Sequence, residues 1–423
     1  MAPSRSITDH TITGLAHRLQ QPAIARRQRR YKLAAVVLLS FLLLCALAFP
    51  FVHAHLQSVA VLDLVANKPV PWFLRKAVTE PITTQDFTLP TTNGPIRARL
   101  YTPQSRPDAP AIVVLHGVHH LGIDEPRLIA FASAMASCGV RVLTPELPDI
   151  KDYHVGSNSI ATIGDSAKWL AIQQARLEAP HVKFATPASS IPVGVMGLSF
   201  SGGLALLAAS DPQWHQSIKF VVAIGSQDEM ARVATFYRTG EDPLPTGASE
   251  RLTPHEYGAL VLEYEHLEDF ILPADSASLA PIRAVLRAHL YEDWPAEKAA
   301  LAALTPTQLT LARQLIDTTS PITRAQLAHA ETLHIEDMAG VSPHGHLSQL
   351  TTPVYLLHGA GDNIIPSAET EWMATELPAE SLQAELISPV LSHINLDGAN
   401  PTAMDQWRLV HFFALILHAA ESR

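Results

Sequence analysis

Five short apolar runs constrain the fold of this chain more than any other feature. They are "AIVVLHG" (111–117), "VRVLTPEL" (140–147), "IPVGVMG" (191–197), "KFVVAIGS" (219–226) and "PVYLLHG" (353–359). Four are almost wholly apolar and read as strands buried on both faces, and "VRVLTPEL", which carries Arg141, Thr144 and Glu146, reads as the next strand beside them. Helical patterns separate the first four. "PRLIAFASAMASCG" closes on Gly139, "IATIGDSAKWLAIQQARL" puts Ile163, Ala167, Leu170 and Ile172 on or near one face, and "GGLALLAAS" follows the third run. Buried strands joined by helices require crossover connections, and therefore a parallel sheet covered on both sides. "FTLP" and "PIRARLYTP" (95–103) add an antiparallel hairpin ahead of it. A helix (368–376), the strand "LQAELISPV" and the helix "MDQWRLVHFFALILHAA" complete it.

The alternation stops for about 120 residues between the fourth and fifth runs. Residues 228–350 carry 18 acidic against eight basic residues, and their pattern is helical. "TPHE" (253–256) predicts a helix start with Thr253 as N-cap, Pro254 at the first position and Glu256 closing a capping box. Leu260, Tyr264, Leu267 and Ile271 then form one apolar stripe. "TPTQ" repeats the device with Thr305 and Gln308. The acids of this insertion read as a solvated face.

The N-terminus is a different unit. Residues 1–32 carry seven Lys/Arg and one Asp, and residues 33–52, "LAAVVLLSFLLLCALAFPFV", carry no charge. Twenty such residues suffice to span about 30 Å of hydrocarbon as a helix. Arg26, Arg27, Arg29, Arg30 and Lys32 predict a cytoplasmic N-terminus with the body outside. An uncleaved signal anchor is the leading expectation. A cleaved signal peptide, cut after small residues near Ala46, Ala48 or before His55, is the alternative, giving a secreted or periplasmic protein. Cys45 lies in this segment behind Leu44, which argues against lipid modification. Cys138, the second of two cysteines, reads as a small buried residue, so no disulfide framework exists. The body has no basic patch with interleaved aromatics, which excludes nucleic acid as an expected partner.

"IPVGVMGLSFSGG" (191–203) leads a buried strand into a small-residue turn and a helix. Ser199 falls at the apex and Ser201 inside the first helical turn. A serine nucleophile needs a base, and the base an orienting acid. "LLHGAGDN" ends a buried strand and offers Asp362, and "SPVLSHINLDG" carries His393 after the last strand. "VVLHGVHH" (113–120) ends an early strand, where the backbone N–H of Val118, with that of Phe200, is placed to hold a developing oxyanion. Asp228 also follows a strand and is the alternative acid. His119 and His120 beside His116, like His344 and His346, have no metal-ligand spacing and read as loop residues. Asp124 and Glu125 read as a helix N-terminal pair.

These motifs, "HG" at 116–117, "GLSFSGG" at 197–203, "HGAGD" at 358–362 and "SH" at 392–393, resemble those of the α/β-hydrolase superfamily, over roughly residues 84–423. The chain order Ser199, Asp362, His393 is the order of that fold. Ser201 departs from the glycine usual at the end of G-x-S-x-G. The resemblance implies a mostly parallel, doubly wound sheet with a helical cap inserted after the sixth strand. It further implies a Ser-His-Asp hydrolase of the esterase or dienelactone-hydrolase-like group, forming an acyl-enzyme on a small ester or acyl substrate without metal or organic cofactor. The expected organisation is a basic cytoplasmic leader (1–32), a transmembrane or signal-anchor helix (33–52), a linker (53–83), the first part of the core (84–227), the cap (228–350) and the second part of the core (351–423). An envelope acyltransferase on the same triad and a catalytically inactive binding module are the alternatives.

Overall fold

The computed structural model describes residues 10–179, 189–398 and 400–422, and of residues 10–31 the backbone alone. It divides into two units, residues 1–53 and 54–423. The first is the larger part of one long helix, α1 (His10–Val65). Over Lys32–Val65 that helix is long and apolar enough to cross a membrane. Leu33, Val36, Leu39, Phe41 and Leu44 are each more than half exposed. The side chains of Arg26, Arg27, Arg29 and Arg30 lie outside the described residues.

The second unit begins with the end of α1 and the short α2 (Trp72–Val78). The expected linker is therefore not free chain: Ala54, Ala60, Val61, Leu74 and Val78 are buried in the body. The hairpin β1 (Ile82–Thr91) and β2 (Gly94–Pro103) follows, then β3 (Ala111–Leu115), α3 (Pro126–Ser137), β4 (Arg141–Pro145), α4 (Pro148–Lys151), α5 (Asn158–Glu178), β5 (Val193–Leu198), α6 (Phe200–Ser210) and β6 (Ile218–Ile224). Between β6 and the next strand of the sheet lie α7 (Met230–Thr239), a small hairpin β7 (Glu241–Pro243) and β8 (Ser249–Arg251), then α8 (Glu256–Glu265), α9 (Leu267–Phe270), α10 (Leu279–Leu290), α11 (Trp294–Ala302), α12 (Pro306–Ile316), α13 (Pro321–Leu333) and α14 (Ile335–Gly340). The chain ends with β9 (Val354–Gly359), α15 (Ala368–Glu376), β10 (Leu382–Ser388) and α16 (Ala403–Glu421).

The sheet has eight strands in the order β1-β2-β4-β3-β5-β6-β9-β10. β1 pairs antiparallel with β2 and β2 with β4, and all later pairs are parallel. This is the α/β-hydrolase fold. The continuous apolar runs are explained by two cores. Val113, Leu115 and Val195 point to one, with Ile163 and Ala167 of α5 and Leu204 of α6. Ile112, Val114 and Met196 point to the other, with Met135 of α3 and Phe412 and Phe413 of α16. Alternate residues of one strand thus serve opposite cores.

Cap chemistry in the inserted helices agrees with the sequence in part. Thr305 and Gln308 form the expected capping box at α12. At α8 the expectation fails. The helix starts at Glu256, and His255 rather than Thr253 is its N-cap, accepting from Tyr257 N–H. The reason is tertiary: Thr253 and His255 are tied by their backbones to Asn363, which delays the first turn. The stripe Leu260, Tyr264, Leu267 and Ile271 is buried as expected, although it bends at His266 between α8 and α9.

One buried group in these helices opposes the packing. Glu263 of α8 is fully buried and neither carboxylate oxygen has a hydrogen-bond partner. Burial pushes its carboxyl well above the usual range, so it stays protonated in the fold. The unfolded chain then loses a proton that the folded chain keeps, and stability falls as pH rises above about 4.3. Asp242, raised to about 7 by burial and Glu369, has the same sign. Glu263→Gln is expected to flatten the fall in melting temperature between pH 5 and 8. A fall as steep as in the unaltered protein would contradict this account.

Candidate active site

Four segments meet at the carboxyl ends of the parallel strands, where open α/β sheets place their ligand crevices. β5 runs into α6 through Ser199, which adopts φ 57° and ψ −139°. A non-glycine residue in this region costs on the order of 1–3 kcal/mol and is held only by its surroundings. Those surroundings are a bond from Ser199 N–H to the Ile224 carbonyl (2.8 Å), and one from Ser226 Oγ to the Ser199 carbonyl (2.8 Å). The turn also needs bare backbone before it. A Cβ on Gly197 would lie 2.4 Å from Gly202 Cα and N.

The result is a side chain at the apex, 4% exposed, with Oγ 3.0 Å from His393 Nε2. The other nitrogen, Nδ1, is 2.5 Å from Asp362 Oδ2. A carboxylate only accepts, so Nδ1 carries the proton and Nε2 is left to receive one from Ser199. Asp362 is fully determined in turn. Its Oδ1 accepts from Ile364 N–H (2.9 Å) and Ile365 N–H (3.0 Å). Burial opposes its charge, but His393, with hydrogen bonds from His358 and His393, outweighs burial and holds the carboxyl well below the usual carboxylate range. The acid therefore stays ionised in mildly acidic solution, and its stabilising contribution is lost only when pH falls below that range.

The loop carrying His393 approaches closely because "HGAGD" offers no side chain against it. A Cβ on Gly359 would lie 1.5 Å from the Ser392 carbonyl oxygen. Ser392 Oγ donates to Asp397 (2.6 Å) and Arg127 of α3 donates to Asn395 (3.0 Å), closing the loop from both sides.

The oxyanion candidates flank this serine. Phe200 is the first residue of α6, so its N–H has no partner within the helix. Val118 follows Gly117, where a Cβ would lie 3.1 Å from Ser199 Cβ. His116 organises this loop. Leu147 N–H donates to its Nε2 (2.9 Å), which leaves Nδ1–H to donate to the Gly117 carbonyl (2.9 Å). Burial lowers its pKa to about 4, so it remains neutral.

Ser201, the departure from the glycine pattern, is fully buried and donates to the His116 carbonyl (2.5 Å). It braces the loop from below and has no bond to His393. Ser201→Ala leaves a buried carbonyl without its partner, a loss of about 1–3 kcal/mol. The expected result is a lower melting temperature with Ser199 still reactive. An unchanged melting temperature would show that the bond contributes nothing.

Other residues singled out from the sequence lie elsewhere. Asp228, the alternative acid, is bound by Arg232 (2.9 Å) and His344 (3.2 Å) at the root of the inserted segment, not by His393. Burial and Glu369 raise its pKa to about 6. His119 and His120 stack on each other, and His120 stacks on Tyr291 of the insertion. Glu125 is the N-cap of α3, accepting from Leu128 N–H, but its expected companion Asp124 pairs with Arg97 and Arg99 instead. Cys138 is buried at the end of α3.

Two contributors were not singled out from the sequence. His358, at the end of strand β9, stands 3.3 Å from Asp362 Oδ2 while donating to the Ile365 carbonyl (2.9 Å). Tyr257 of α8 donates to the Val118 carbonyl (2.7 Å). The strand-end HG dipeptide at 358–359 was the available signal for the first. The second is visible only in three dimensions.

No protein-family model matches the chain, and no curated protein matches its sequence. Solved structures align over most of it at low identity. An esterase of Pyrobaculum calidifontis is 18% identical, over 87% of this chain and 92% of that one, with a TM-score of 0.42. The 2-hydroxy-6-oxo-6-phenylhexa-2,4-dienoate hydrolase of Rhodococcus sp. strain RHA1 is 16% identical over 78% and 99%, with a TM-score of 0.42. A thermostable carboxylesterase cloned from a metagenomic library is 15% identical over 83% and 94%, also at 0.42. At such values the fold assignment rests on the strand order and directions described above.

Proposed function

We propose that this protein is a serine hydrolase acting on carboxylic esters through Ser199, His393 and Asp362. The observation that carries the reading is the relay Ser199 Oγ–His393 Nε2 (3.0 Å) and His393 Nδ1–Asp362 Oδ2 (2.5 Å), anchored on a serine held at positive φ. A buried relay with the proton fixed on Nδ1 has one use that a turn-forming serine does not need. It takes a proton from the hydroxyl as that hydroxyl attacks.

In this mechanism Ser199 Oγ adds to the ester carbonyl carbon as its proton passes to His393 Nε2. The carbonyl oxygen becomes an oxyanion between the N–H groups of Val118 and Phe200. Collapse expels the alcohol, which takes the proton from His393 and leaves an acyl group on Ser199. Water, deprotonated by His393, attacks the acyl carbonyl, and the acid departs as Ser199 recovers its proton. Asp362 keeps His393 in the required tautomer and stabilises its charged form throughout. No step uses a metal or an organic cofactor.

The inserted helices act as a cap that sets acyl and alcohol preference. Support comes from three contacts, Tyr257 with Val118, His255 with Asn363 and Tyr291 with His120, which join the insertion to the loops around Ser199. We further assign the helix over 33–52 as a membrane anchor with the catalytic body outside the cytoplasm, on the length of the apolar run and the basic cluster before it. Protease protection of the body in intact cells, rather than cleavage from outside, would reverse that orientation.

The decisive experiment treats the full chain in detergent with a fluorophosphonate probe and maps the modified peptide. Modification within residues 191–203, with hydrolysis of short-chain p-nitrophenyl esters, is the expected result. A folded protein that neither labels nor hydrolyses any ester would leave the fold as a binding scaffold and end the hydrolase reading.

A further inference from the structure

Three consecutive carbonyls pass Ser199 at the end of β3, and each is held by a side chain. Ser201 Oγ donates to His116 O, His116 Nδ1 to Gly117 O and Tyr257 Oη to Val118 O, at 2.5, 2.9 and 2.7 Å. The first two donors belong to the sheet and its nearest helix. The third comes from the inserted segment, 139 residues away in sequence.

In a trans peptide the C=O and the following N–H point in opposite directions. Holding Gly117 O therefore aims Val118 N–H. Holding Val118 O fixes the next peptide plane, so both planes that meet at Val118 Cα are locked. Without the second bond the plane after Val118 is released, and the single bond from His116 Nδ1 to Gly117 O is left to hold the plane of Val118 N–H alone.

Tyr257 is itself held in place. His255 accepts from Tyr257 N–H (3.2 Å), and His255 N–H donates to the Asn363 carbonyl (2.8 Å). Asn363 Nδ2 donates back to the Thr253 carbonyl (3.3 Å). Gly258 lies flat on Tyr237 of α7, where a Cβ would stand 2.2 Å from the ring. The first turn of α8 is thus fastened to the residue after Asp362 and reaches across to the loop beside Ser199. Tyr291, stacked on His120 at 4.1 Å, is a second contact from the insertion to the same loop.

We propose that Tyr257 is a positioning residue that makes the oxyanion site depend on the seating of the inserted helices. The claim rests on the serine-hydrolase reading and deepens it. The inserted segment then does more than shape the substrate cavity. When α8 is seated, Val118 N–H is aimed and the transition state is stabilised. When α8 lifts, the loop loses its third anchor and Ser199 keeps its base without its oxyanion donor.

The test compares the full chain with Tyr257→Phe, which removes the hydroxyl and keeps the ring. With p-nitrophenyl acetate, kcat is expected to fall about 10- to 100-fold, less than the 10²–10³ loss for deleting a donor outright. KM should be unchanged. Affinity for phenylboronic acid, which forms a tetrahedral adduct on the serine, should fall in the same proportion as kcat/KM. A structural role alone would lower the melting temperature without this matched loss. Asn363→Ala, which removes the side-chain tie to Thr253 just ahead of α8, should show the same signature at smaller size and serves if Tyr257→Phe folds poorly. A reactive parent protein with kcat unchanged in Tyr257→Phe, or a change in KM alone, would overturn the assignment while leaving the hydrolase reading intact. A parent protein that neither labels nor hydrolyses would overturn both.

Discussion

Ser199→Ala is expected to abolish fluorophosphonate labelling and to lower ester turnover by about 10⁶, the order found when a triad nucleophile is removed. The size follows from geometry. Ser199 is the one hydroxyl bonded to His393 Nε2 among the described residues, and it is held at a backbone angle that few side chains adopt. Ser201 is two residues away and makes the sharp comparison. Its hydroxyl is fully buried and committed to the His116 carbonyl, so Ser201→Ala should label and turn over substrate while melting earlier. The pair is read by gel fluorescence and by initial rates. Labelling that survives in Ser199→Ala and disappears in Ser201→Ala would transfer the nucleophile to Ser201 and dismantle the relay described above.

Asp362→Asn carries the second large effect, a fall in kcat of about 10⁴ with little change in substrate binding. An amide at this position offers a donor as well as an acceptor, so His393 is no longer compelled to keep its proton on Nδ1. The imidazolium formed during attack also loses its counter-charge. Asp228→Asn is the contrasting variant. Asp228 belongs to a buried group in which Arg232 also pairs with Glu229 and Glu369, so the arginine keeps two carboxylate partners when Asp228 becomes an amide. That protein should keep its kcat. Equal losses of kcat in the two variants, at matched folded fraction, would show that Asp362 acts only as a structural acid.

The sheet and the three relay side chains were legible because their signals are local. Ser199 directly follows the apolar run of β5, Asp362 stands three residues after β9 and His393 five after the half-exposed edge strand β10, so the strand ends bring them to one edge. Contacts that join distant parts of the chain left no such trace. Nothing near Tyr257 announces a bond to Val118, and nothing near Ser201 announces the His116 carbonyl 85 residues earlier. The start of α8 was misread for the same reason. "TPHE" carries a sound local signal for Thr253, and a backbone tie to Asn363 overrode it. The stretch 53–83 looked like a tether because its buried residues are spaced for packing against the body, a surface that only the folded chain supplies. Asp228 and Asp362 looked alike in sequence, both acids after a buried strand. The structure separates them: Arg232 holds Asp228, and His393 meets Asp362.

Ser199 and its two partners stand on opposite sides of the inserted segment, 194 residues separating serine from histidine. A ribosome therefore releases the nucleophile long before it releases either residue that activates it. Through all of that interval the serine is an ordinary alcohol. Closing so long a loop is among the slower steps open to a folding chain, so reactivity arrives with the last hundred residues and with the docking of β9 and β10 onto β6. In the exported hydrolase proposed above, that order keeps the site inert until the body has crossed the membrane.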